Sequence, residues 1–220
     1  MGTWRPIDPV LLLGLAAALG ACVTVNTYYE LPACDFLARG ESPPPVFGAY
    51  GYLVFTARPA VQSQTRYGVV CAAFLRNLGP VERYSRADPS RLMPTYWLVD
   101  RNTPPWRDPR ECPRLLERYD YARAKLMATR LGKRTSPGPI LVAWKAPYPH
   151  GTELGEELVL DLSTVGDDDL GRAFGIWMDR IGRDPRVWDN NFNRGRITDA
   201  FRDFIQEYGG DIVRVATKTP

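Results

Sequence analysis

Side chains able to do covalent or acid–base chemistry are few in this 220-residue chain. The one histidine, His150, sits in Pro147-Tyr148-Pro149-His150-Gly151, a turn-forming string that reads as a solvated hairpin tip. A zinc site needs three or four clustered ligands, and no second histidine exists to help build one. A serine hydrolase needs an activated serine. The Gly-x-Ser-x-Gly elbow is missing, and Ser163 reads as a helix cap. Asp167-Asp168-Asp169 lacks the glycine and distal glutamate of a calcium loop. It reads as the acidic start of a helix, favoured by the helix dipole. No glycine-rich phosphate loop occurs. The expectation is therefore no catalytic residue, no metal and no cofactor, with a non-enzymatic role favoured over an enzyme.

Two loops place tryptophan beside arginine. One is Pro105-Trp106-Arg107, and the other runs from Trp188 through Phe192 to Arg194. Aromatic and arginine side chains dominate interface hot spots, so Trp106, Arg107, Trp188, Phe192 and Arg194 are the candidate interaction residues. The competing reading is that both tryptophans fold back and pin their own loops.

The residues from Val10 to Cys22, VLLLGLAAALGAC, form an apolar run. About a dozen residues make a helix of roughly 18 Å, short of the roughly 30 Å of a bilayer core. The run has the length of a signal-peptide core. Arg5 supplies a weak positive flank, and Gly20-Ala21 supply the small residues that cleavage needs. The segment resembles the lipobox of bacterial lipoproteins at Leu19-Gly20-Ala21-Cys22. That resemblance implies cleavage between Ala21 and Cys22, a diacylglycerol on the Cys22 thiol and an acylated (palmitate-type) new N-terminus. Two or more chains anchor stably where one is marginal. Val23, rather than an aspartate, follows the cysteine. By analogy this favours the outer membrane, facing the periplasm.

An exported chain can keep disulfides. With Cys22 acylated, Cys34, Cys71 and Cys112 remain. Cys34 and Cys112 lie in loop-like stretches and are the expected pair. Cys71–Cys112 is the alternative, and Cys71 otherwise reads as an inert buried thiol. Lysine plus arginine number 28 against 25 acids, for a net charge of +3. The charges are interspersed, so no polybasic patch points to nucleic acid.

The elements that must position these residues follow from periodicity. Residues 1–21 read as the signal peptide and 22–50 as a lipidated arm ending in the proline-rich spacer Pro43-Pro44-Pro45. Residues 51–218 read as one α/β domain. Strands are expected at 51–56, 95–99, 140–144, 158–162 and 211–217. Apolar residues at 67, 70, 71, 74, 75 and 78 predict a helix over 64–78. Pro113 predicts the start of a second helix running to Leu131. Its inward face would carry Leu115, Leu116, Tyr119, Ala122, Leu126 and Met127, while Asp120 and Arg123 would ion-pair at helical spacing. A third helix carries Leu170, Phe174, Trp177, Met178 and Ile181, and a fourth spans 197–208 before Gly209-Gly210.

The order β-α-β-α-β-β-α, with an added helix and strand, is similar to that of the thioredoxin-like fold. Prolines in Ser136-Pro137-Gly138-Pro139 stand where that family carries a cis proline. The family's Cys-x-x-Cys is replaced by Arg58-Pro59-Ala60-Val61, so dithiol exchange is not implied. The combined expectation is an envelope lipoprotein, held on the bilayer by acylated Cys22, that binds or helps assemble an envelope protein partner. Two alternatives stand beside it: a thioredoxin-like enzyme using Cys71 or Cys112 singly, and a glycan- or peptide-binding module.

Overall fold

The computed structural model describes residues 36–60, 64–77, 88–100, 107–131, 138–147 and 155–216. Its strands are β1 (Phe36–Ala38), β2 (Tyr50–Phe55), β3 (Thr95–Val99), β4 (Pro139–Trp144), β5 (Glu157–Asp161) and β6 (Val213–Ala216). Its helices are α1 (Gln64–Asn77), α2 (Cys112–Glu117), α3 (Tyr121–Arg130), α4 (Leu170–Gly175), α5 (Arg194–Ala200) and α6 (Arg202–Tyr208). The strands form one mixed sheet in the order β1-β3-β2-β4-β5-β6. β1, β3 and β2 run parallel, whereas β2, β4, β5 and β6 alternate in direction.

The central strand β2 is buried at every position. An unbroken apolar strand of this kind belongs in a sheet covered on both faces. Register puts Tyr52 beside Tyr96 and Val142, and Tyr52 also meets the Trp144 ring at 5.5 Å. On the opposite face Phe55, Trp97 and Phe74 pack ring against ring, and Phe74 continues to Phe174 of α4. One contiguous core results. From β2 onward the α/β element order is the expected one, and α1 turns its expected face inward, with Tyr67, Val70, Cys71, Phe74 and Leu75 all buried.

The expected arm is shorter than 22–50. Phe36–Ala38 is already an edge strand paired with Trp97–Val99. The spacer folds back as well: the Tyr50 hydroxyl donates to the Pro44 carbonyl at 3.0 Å and accepts from the Phe47 amide.

The helix expected from Pro113 to Leu131 is two helices. Tyr119 leaves the helical path and bridges Val99, and Asp120 then caps α3 by accepting from the Arg123 amide. The break resets the helical phase. Ala124, Met127 and Ala128 face inward, while Leu126 is 62 % exposed. Arg123 does attract the Asp120 carboxylate, as expected, but Asp120 has a stronger partner. Asp120 receives a two-pronged Arg39 guanidinium, with both contacts at 3.0 Å. Arg123 also donates to the Ala38 and Glu41 carbonyls.

Ser163 is not a helix cap. Gly166 holds the cap position, and the Tyr208 hydroxyl accepts from its amide. The acidic start is as expected: Asp167–Asp169 forms a 3-10 turn leading into α4. The fourth helix divides at Phe201 into α5 and α6. No cis peptide bond occurs among the described residues, so the bond before Pro139 is trans, and Pro137 lies outside the described residues.

Candidate functional site

Cys71 and Cys112 form a disulfide with a Cα–Cα distance of 5.8 Å. This corrects the expected Cys34–Cys112 pair, because Cys112 is already engaged. The reason is helix packing. Cys71 lies on the buried face of α1, which packs directly on α2, and Cys112 opens α2 with only 3 % of its surface exposed. Neither sulfur is a free thiol, so the single-cysteine enzyme loses both candidate nucleophiles. Cys22, Ala21, Cys34, Trp106 and His150 lie outside the described residues.

The Trp188–Arg194 loop is anchored from within. Trp188 is fully buried and donates its indole N–H to the Ile181 carbonyl at 2.9 Å. Its ring lies where a side chain on Gly48 would stand, so that position needs glycine. Phe192 is buried too, and its amide donates to the Glu156 carboxylate. The Asn193 amide closes the loop on the Val187 carbonyl at 2.7 Å. Trp188 and Phe192 are therefore core residues rather than contact residues. Arg107 and Arg194 are exposed.

The stretches on either side of this loop help line a groove. Three segments converge on it. The turn Pro89–Arg91 is capped by Asp88, which accepts from the Ser90 amide. A π-helical turn, Ile176–Ile181, continues α4 and closes with the Gly182 amide on the Trp177 carbonyl at 2.9 Å. Wide turns of this type recur at functional sites. The Met93 amide, donating to the Gly182 carbonyl, ties the first two segments together. The backbone approach is close enough that a side chain at Gly182 would meet the Met178 and Met93 carbonyls. The buried Trp177, donating to Thr95 Oγ1, anchors the π turn to β3. The third segment is Pro185–Val187 with α5, whose first turn is capped by Asn193.

The groove encloses about 700 Å³ and is lined chiefly by Arg91, Arg180, Arg183, Arg186 and Arg196 with Asp179, Asp184 and Asp199. Five guanidinium groups thus face three carboxylates, an excess of two positive charges. Asp184 accepts from Arg186 Nε at 2.7 Å and lies 4.0 Å from Arg196. Hydrogen bonds from Arg186 hold its carboxyl below the ordinary carboxylate range. Asp179 pairs with Arg183 and Asp199 with Arg202. The lining holds no cysteine, histidine, serine, threonine or lysine side chain, and what it offers a ligand is charge. The groove is assembled from segments far apart in sequence. Its one linear trace is an arginine at every third position, Arg180, Arg183 and Arg186.

A second cluster lies at the carboxyl end of β2, where Arg58 stands over the Tyr121 ring at 5.3 Å. Burial, reinforced by Tyr67 and opposed by Arg58, pushes the Tyr121 phenol up to about 12. Burial raises Tyr67 also. These phenols stay protonated at neutral pH and offer donors, not bases. Among the described residues no group of His, Cys, Asp or Glu is placed to hold a metal ion, and no helix is long and apolar enough to cross a membrane. Comparison with protein-family models, with curated proteins and with solved structures finds no match to this chain.

Proposed function

We propose that this chain is an envelope lipoprotein whose α/β domain is a non-enzymatic binding component. Acylated Cys22 holds the domain on the bilayer, at the outer membrane and facing the periplasm, where it contacts an envelope protein partner. The observation that carries this reading is the apolar run Val10–Cys22 ending in Leu19-Gly20-Ala21-Cys22. A run of this length is a signal-peptide core rather than a span, and its last four residues supply both the cut and the acylated thiol. The buried Cys71–Cys112 disulfide supports the reading, since such bonds persist in oxidising compartments outside the cytosol. The binding role rests on the lack of catalytic sets and on the arginine-lined groove.

Within this reading the element order resembles that of the thioredoxin-like fold without the family's dithiol, with Arg58-Pro59-Ala60-Val61 in its place. Mass spectrometry of the mature N-terminus tests the anchor. The expected species begins at Cys22 and carries the mass of added acyl chains. An unmodified N-terminus beyond Cys22 would remove the anchor.

A further inference from the structure

We propose that the arginine-lined groove is a binding site for a phosphate group, with Arg91 and Arg180 as its principal donors. The argument begins with the internal pairing of the lining. Arg186 and Arg196 share Asp184, and Arg183 holds Asp179 at 3.4 Å. Asp199 is engaged by Arg202 from outside the groove. Arg91 and Arg180 are exposed and have no acidic partner among the described residues. They project from the two segments that the Met93–Gly182 hydrogen bond joins, so their backbones are held at fixed separation. With Asp199 given to Arg202, the five lining arginines face only Asp179 and Asp184 and leave about three positive charges, two of them on the unpaired Arg91 and Arg180, which favours a ligand group carrying more than one negative charge.

A phosphate monoester meets that requirement in one group, with roughly −1.5 to −2 charges and three acceptor oxygens at neutral pH. The planar fork of arginine suits it in geometry, bonding two oxygens at once. A carboxylate carries one charge and would leave one arginine unsatisfied. The groove's size of about 700 Å³ matches sites for whole small molecules. The phosphate is therefore part of something larger, either a soluble phosphate ester or a lipid headgroup. Rigid framing favours such recognition: the buried Trp177 and Trp188 fix both walls through their indole hydrogen bonds.

The proposal rests on the binding-domain reading above and not on the anchor. The test uses the full chain in neutral detergent micelles. Glycerol 3-phosphate is titrated as the soluble ester, phosphatidic acid in the same micelles as the headgroup, and succinate as the dicarboxylate control, all followed by calorimetry. Saturable binding of either phosphate compound is expected, weakened about a hundredfold in Arg91→Ala/Arg180→Ala. Binding of both places recognition in the phosphate alone, and binding of phosphatidic acid only assigns a lipid headgroup. Arg110→Ala, remote from the groove, should bind as the wild type does. Both groove arginines are exposed, so an unchanged thermal melt separates lost binding from lost folding. The proposal is overturned if neither phosphate compound binds saturably, if the double variant binds equally well, or if succinate binds as tightly. The mass of the N-terminus, read on the same preparation, reports the anchor independently of all these outcomes.

Discussion

Asp120 joins two parts of the chain through one carboxylate and stands next to a third. It caps α3, accepts both prongs of Arg39 and follows the residue that bridges β3. Its side chain is 2 % exposed while Arg39 is 57 % exposed, so water screens one half of the pair. Burial works to raise the Asp120 carboxyl, yet the hydrogen bonds from Arg39 and the Arg123 amide outweigh it and hold the group below its ordinary value. A carboxyl whose folded value is lowered stabilises the fold fully above its unfolded value of about 4. That contribution is lost as pH falls through the folded value. Asp120→Asn should cost about 2 kcal/mol at neutral pH. In urea melts its deficit relative to wild type should shrink as pH drops below about 4. A deficit constant across that range would place its cause in packing rather than charge.

Where β3 diverges from β2, a side chain completes the ladder. β2 pairs with β3 only through Leu53. Beyond it the Tyr119 hydroxyl donates to the Leu53 carbonyl at 2.8 Å and accepts from the Phe55 amide at 3.1 Å. Burial raises this phenol well above its usual value, so it stays a donor. Tyr119→Phe leaves a buried N–H and a buried carbonyl short of a partner, at a cost of about 2–3 kcal/mol. Hydrogen exchange at the Phe55 amide should accelerate, and an unchanged rate would count against the role assigned to the hydroxyl.

The disulfide closes a separation of 41 residues between α1 and α2. Loop-closure entropy for that length gives a stabilisation of about 4 kcal/mol. Cys71→Ala/Cys112→Ala should lower Tm by roughly 10 °C, and scanning calorimetry reads the difference directly. The helix expected to run unbroken from Pro113 shows how a strong periodic signal can mislead. Apolar spacing continued through Tyr119, but Asp120 is a better cap than interior residue, and the ring of Tyr119 had sheet backbone to bond. The register of Leu126 followed that local choice.

On the scale of the whole molecule, the proposed anchor at Cys22 and the groove sit in different parts of the chain and are tested apart. Cys22→Ser should move the protein from the membrane fraction to the soluble or uncleaved precursor pool, as read by fractionation and immunoblotting. Retention of a processed form in the membrane would place the tether elsewhere.

Local patterns along the chain carry the α/β class, the face of α1, the terminal strand and the apolar run before Cys22. Each is written in local periodicity or in adjacent residues, where spacing along the chain equals spacing in the molecule. Long-range packing is what pairs Cys112 with Cys71, brings Phe36–Ala38 into the sheet and turns Trp188 inward. It alone brings Arg91 to Arg180 and Arg196 across the groove. These are contacts between distant segments. Their free energy depends on which buried surfaces meet, and no local pattern encodes that.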